Sequence, residues 1–86
     1  MEIELHRNFI KNYSVLPKKI KDKFKERRNI FISDKLHPLL NNHSVDKRFP
    51  GCRSINITGD YRALFIIDTK KQYIIFYKIG THSELY

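Results

Sequence analysis

Cysteine is nearly absent from this chain, and that absence excludes one way of holding a small fold together. Cys52 is the single cysteine in 86 residues, so no internal disulfide is possible and stability has to come from a packed core. The start, MEIELHRNF, is charged and alternating rather than a signal-peptide pattern. With the lone cysteine it points to a reducing compartment, and a cytoplasmic location is the expectation. No apolar run approaches the length of a bilayer span, so no membrane partner is expected. HxxxH, HxH and CxxC spacings are missing, as is a glycine-rich phosphate loop. The usual signatures of a dedicated zinc site and of a nucleotide cradle are therefore lacking, and no cofactor is expected. Acid is scarce: nine Asp and Glu against seventeen Lys and Arg leave a net charge of +8. Such an excess on a small domain suits a polyanionic partner, or serves solubility alone.

What is present suffices for one core. Residues 1–86 read as a single domain, 41% hydrophobic, with room for one layer of helices on one sheet. Met1 to His6 alternates and predicts a short edge strand. Arg7 to Ser14 suits a helix, with Phe9 and Tyr13 on one face. Leu16-Pro17 breaks it, and Pro17 opens a longer helix running to about Ile32. Leu16, Ile20, Phe24 and Phe31 make its apolar stripe. Between Lys18 and Arg28 that helix carries seven bases against Asp22 and Glu26, a phosphate-facing surface or a solvated one. Ser33 to Asn42 is a connector that Leu39 and Leu40 anchor. Arg53–Thr58 and Tyr61–Ile67 then read as strands about a Gly59-Asp60 turn. Ile55 and Ile57 share one face of the first strand, with Ser54, Asn56 and Thr58 on the other. A third strand covers Gln72–Ile79, and Thr81–Tyr86 reads as a short tail. Turns this tight force an antiparallel meander. The predicted fold is α+β: two N-terminal helices packed on a four-stranded, mainly antiparallel sheet, in the order β-α-α-β-β-β.

The central hairpin sets Asp60 and Arg62 beside Asn56 at the rim of the sheet, more polar equipment than a turn needs. Of the four histidines, His6 reads as structural and His37 as a loop residue without a partner. His43, just before the hairpin, and His82, just after the last strand, can reach one side of the sheet. Together these residues allow metal-free phosphoryl transfer on RNA, which brings its own nucleophile, the ribose 2′-hydroxyl. Imidazole exchanges a proton near neutral pH, and a guanidinium stabilises charge on a crowded phosphate. Two histidines and an aspartate also suit zinc or iron, the competing use of the same side chains. Cys52 reads as a small apolar residue.

The segments PLLNNHSVDKRFPGCRSINITGDYRALF and FYKIGTHSELY, with the opening HRNFIKNYSVLP, resemble the RelE/ParE toxin superfamily, and within it the RelE-like and YafQ-like ribonuclease toxins of bacterial toxin–antitoxin pairs. The resemblance covers nearly the whole chain. It implies an endoribonuclease that cuts mRNA in the ribosomal A site, leaving a 2′,3′-cyclic phosphate and a 5′-hydroxyl. It also implies a cognate antitoxin as partner: a monomer alone, a hetero-oligomer with the antitoxin. By that resemblance His43, Asp60 and His82 match catalytic positions, Tyr86 matches the terminal aromatic that seats the substrate, and Arg62 matches the arginine at the scissile phosphate. Asn56 stands where YafQ-like toxins can carry a histidine. An amide shuttles no proton, so its expected role is to orient a hydroxyl or phosphate. Which of His43, Asp60 and His82 is base and which is acid stays open. Arg53, Lys47 and Arg48, with Lys18, Lys21, Lys25 and Arg28 of the basic helix, are expected to hold RNA phosphates. The superfamily also contains gyrase-inhibiting ParE members, which share the fold and not the chemistry. A non-catalytic basic RNA-binding module is the third alternative.

Overall fold

The computed structural model describes residues 2–86. In chain order they form β1 (Glu2–Leu5), α1 (Arg7–Ser14), α2 (Lys18–Ser33), a 3-10 turn at Pro38–Leu40, β2 (His43–Ser44), β3 (Arg53–Asn56), β4 (Tyr61–Asp68), β5 (Tyr73–Thr81) and α3 (His82–Leu85). The strands make one sheet in the order β1-β5-β4-β3-β2. β1 runs parallel to β5, and every other pair is antiparallel. The α+β class agrees with the sequence reading. The sheet has five strands rather than four, because His43 and Ser44 add a two-residue strand on β3, too short to leave a pattern in the sequence.

Local chemistry sets the element ends. His6 Nδ1 accepts the Asn8 N–H at 3.0 Å and caps α1. Pro17 occupies the N-cap of α2, where its fixed φ of −58° starts the new direction. β3 stops at Asn56, two residues short of expectation, because Thr58 Oγ1 accepts the N–H groups of Asp60 and Tyr61 and pulls the chain into the turn. Gly59 is not in the left-handed region; Gly51 is, with φ +79°. Leu40 is buried and anchors the connector, but Leu39 is exposed.

The helices cover one face of the sheet, and their aromatic rings meet those of the strands. Phe76 of β5 stands between the two layers. Its ring lies 5.4 Å from that of Phe24 and 5.7 Å from those of Phe9, Phe31 and Phe65. Among the described residues no helix is long and apolar enough to cross a membrane.

Candidate active site

Strand register fixes which side chains share the face turned away from the helices. Ile55, Ala63 and Ile79 pair side by side and lie in the helix-side core. Their neighbours along each strand point the other way. Ser54, Leu64 and Lys78 form one row, and Asn56, Arg62 and Gly80 the next. His43 extends the first row, opposite Ser54.

Lys78 reaches this face through an irregularity. Phe65 pairs with Phe76 but Leu64 pairs with Lys78, so Tyr77 is an extra residue in β5. A bulge of this kind re-aims the side chains beyond it. Strict alternation from Phe76 would bury Lys78 and expose Ile79; instead Ile74, Phe76 and Ile79 are the buried ones. The sequence reading passed over Lys78. Its signal was the break in the apolar period between Phe76 and Ile79.

The C-terminal segment is helical rather than a tail. Glu84 donates its N–H to Thr81 Oγ1 at 3.1 Å, and the Thr81 N–H donates to Glu84 Oε1 at 2.8 Å, a capping box. The His82 N–H donates to the Asp60 carbonyl at 3.0 Å, so α3 starts on the hairpin tip. Gly80 leaves space for it: a Cβ there would stand 3.4 Å from Glu84 Oε1. One turn of helix then sets the His82 ring 4.6 Å from the Tyr86 ring, 31° from parallel. Tyr86 meets Phe49 edge-on at 5.7 Å, and Lys78 Nζ lies over the Phe49 ring at 5.4 Å. The loop between β2 and β3 thus folds over the sheet. Cys52, Ser54 and Leu64 are buried on the same face. Burial also pushes the Cys52 thiol up, which suits its reading as a packing residue.

The Thr81 N–H, and second its hydroxyl, hold the Glu84 carboxyl below its ordinary value of 4.5. A depressed folded-state pKa stabilises while the group is ionised, and the gain is lost as pH falls through the folded value. Acidification through that lowered value should therefore loosen α3 in the wild type. Glu84→Ala should loosen it at every pH, whereas Glu84→Gln keeps an acceptor and removes the acid dependence. The Tyr86 ring-proton shifts, followed by NMR, check this.

The remaining predicted residues divide into two groups. Arg62 Nη1 donates to the carbonyls of Thr58 and Gly59 at 3.0 Å and of Tyr61 at 3.2 Å, which pins the guanidinium to the turn. Asn56 lies opposite it, with its Oδ1 buried and unpartnered among the described residues. Asp60 is exposed at the tip. His43 Nδ1–H donates to the Asn41 carbonyl at 2.7 Å, which leaves Nε2 as the acceptor in the neutral ring. Three strand spacings, roughly 14 Å, separate its strand from β5. Lys47 and Arg48 line a hollow of about 360 Å³ with Ser44, Val45, Asp46 and Tyr86.

Arg53, Lys18, Lys21, Lys25 and Arg28 are not brought to this face. Arg53 has the parity of Ile55, and its Nε donates to Asn42 Oδ1 at 2.8 Å, bracing β3 to the preceding loop. Lys18 pairs with Asp22 at 2.8 Å, and the whole of α2 lies behind the sheet. No group of three His, Cys, Asp or Glu side chains able to hold a metal occurs among the described residues.

No family model matches the sequence, and no curated protein matches it. Solved structures do resemble the fold. YafQ from E. coli strain BL21(DE3) superposes with a TM-score of 0.80 over 99% of this chain and 97% of that one, at 20% identity. The YafQ chain of the E. coli DinJ-YafQ toxin-antitoxin complex gives 0.78 over 99% and 96%, also at 20%. The archaeal RelE-RelB complex from Pyrococcus horikoshii OT3 gives 0.70 over 93% and 92%, at 20%.

Proposed function

We propose that this chain, which has the fold of the RelE/ParE toxin superfamily, is an endoribonuclease of the YafQ and RelE kind. It cuts mRNA in the ribosomal A site as the toxin of a toxin–antitoxin pair. The observation that supports this reading is the His82 ring packed at 4.6 Å against Tyr86, with the His82 N–H on the Asp60 carbonyl, next to the sheet rows that carry Arg62 and Lys78.

RNA supplies the nucleophile, so the protein has only to move protons and bear charge. A base takes the 2′-hydroxyl proton and the oxygen attacks phosphorus. The bond to the 5′-oxygen breaks, and an acid protonates that leaving oxygen, giving a 2′,3′-cyclic phosphate and a 5′-hydroxyl. These transfers are assigned to His82 and Asp60, whose backbones adjoin where the His82 N–H donates to the Asp60 carbonyl. His43 offers Nε2 from the β2 side as partner base. Arg62 and Lys78 stabilise the dianionic phosphorane. Tyr86 and Phe49 give a base an aromatic surface, and Lys47 and Arg48 hold flanking phosphates. Asn56 orients a hydroxyl or phosphate. The chemistry needs no metal. A cytoplasmic antitoxin would neutralise the toxin; the structurally similar YafQ occurs in the DinJ-YafQ toxin-antitoxin complex.

Primer extension on cellular mRNA after induction tests this. Discrete cuts within translated frames, with 5′-hydroxyl ends that polynucleotide kinase labels directly, are expected. Intact transcripts with DNA-damage signalling would indicate a gyrase inhibitor instead. Intact transcripts with ribosome binding would indicate a non-catalytic module.

A further inference from the structure

β1 ends at Leu5, opposite Phe76, while β5 runs on to Thr81. Beyond Phe76, β5 therefore has no strand partner on that side among the described residues. The His82 N–H donates to the Asp60 carbonyl, so residues 78, 80 and 82 turn their backbone groups toward β4. Ile79 and Thr81 turn theirs outward. Glu84 Oε1 takes the Thr81 N–H at 2.8 Å. The N–H and C=O of Ile79 stay at the bare edge. In place of a strand, that edge meets α1, where Asn8, Lys11 and Asn12 form one stripe at i, i+3 and i+4. With Lys78, Ile79, Glu84 and Leu85 they enclose a hollow of about 340 Å³. Ile79 and Leu85 are its buried, apolar floor. Its walls are polar, and Lys11 and Lys78 enter no ion pair among the described residues.

The mix of groups selects the ligand. A carboxamide presents a donor and an acceptor side by side, and so does the Ile79 backbone. A bare anion would use donors alone and gain nothing from three acceptor oxygens. The edge of a nucleobase, where donors and acceptors alternate, uses both. Leu85 offers the base an apolar surface, and Lys11 and Lys78 suit its phosphate. The hollow also lies close to the candidate active site. Glu84 and Leu85 look into it, while His82 and Tyr86 point from the other side of the same helical turn. Lys78 borders both places: it lines the hollow, and its Nζ lies over the Phe49 ring at 5.4 Å. A strand crossing α3 there sets one nucleotide at His82 and a neighbour in the hollow. We propose that this hollow is a base-reading subsite, in which Asn8 and Asn12 decide which base is accepted beside the cut. Its part in choosing the cut rests on the ribonuclease reading above; its capacity to bind a nucleotide does not.

Two measurements on the intact chain test this. In the first, the ribonucleoside monophosphates of adenine, guanine, cytosine and uracil are titrated separately and followed by NMR. The side-chain amides of Asn8 and Asn12 and the Ile79 N–H should shift together, and one base should bind about tenfold tighter than the weakest. Asn8→Ala and Asn12→Ala should each reduce that difference. Neither position is buried, and alanine favours the helix at both, so the variants fold, as circular dichroism melts will check. Equal affinities for all bases, or titrations that leave these signals unmoved, overturn the proposal. In the second, cleavage sites in cellular mRNA are mapped for wild type and for the Asn8→Ala/Asn12→Ala double variant. Wild type should favour one base at a fixed place beside the cut, and the variant should lose about tenfold of that preference. An identical map in the variant rules the subsite out. A wild type that cuts nothing sinks the nuclease reading instead, and the nucleotide titration then decides the hollow alone.

Discussion

Phe76→Ala is expected to leave most of the chain unfolded at growth temperature. Truncating a buried phenylalanine costs about 3–5 kcal/mol, because the transfer energy of the ring is lost and the surroundings relax only partly into the cavity. Phe76 is the worst place on this chain to make that change. Four other rings, Phe9, Phe24, Phe31 and Phe65, lie within 5.7 Å of its own. They come from α1, α2 and β4, so the cavity would undercut both helices and the sheet together. The total stability of a native domain is roughly 5–15 kcal/mol, and one of this size sits near the low end. At about 4–8 °C per kcal/mol the melting temperature should fall by some 12 °C at the least. A calorimetric scan checks it, and Phe76→Leu, which refills most of the volume, should recover more than half of the loss. A variant melting within a few degrees of wild type would mean that this cluster is not the core.

The parts legible in the sequence are those set by local periodicity. Phe9 with Tyr13 and Phe24 with Phe31 marked the two helices, and the Gly59-Asp60 hairpin and its alternating strand marked β3 and β4. What stayed hidden depends on register or on distant contacts. The bulge at Tyr77 changes which residues share a face, and only pairing with β4 reveals it. The contact of Phe49 with Tyr86 joins two residues far apart in the chain. Two features were in the letters and were not used. Thr81 and Glu84 spell a capping box at the start of α3. Arg53 shares parity with Ile55 and Ile57, which already sets it on the helix side. The pull of its charge was a weaker guide than the period of the strand.

His82→Ala is expected to reduce RNA cleavage by about 10²–10⁴-fold, the range that loss of a positioned acid or base produces. The fold should survive: His82 is exposed, and surface changes of this kind stay within about 0.5 kcal/mol. Lost activity alone would not distinguish proton transfer from positioning, since the same ring packs against Tyr86 at 4.6 Å. His82→Phe separates the two. A phenyl ring keeps the stack, and with it the placement of Tyr86 over the hollow beside Lys47 and Arg48, but carries no exchangeable proton. If His82 moves a proton, the Phe and Ala variants fail alike, and both still bind a non-cleavable 2′-deoxy substrate. If the ring only seats Tyr86, the Phe variant cuts close to the wild-type rate and Tyr86→Ala reproduces the Ala defect. Lys78→Met gives a further, independent loss of about 10²–10³-fold, because the phosphorane then lacks one of the two cations assigned to it. Full activity in both His82 variants would shift the proton transfers to Asp60 and His43, and the C-terminal turn would keep only a structural task.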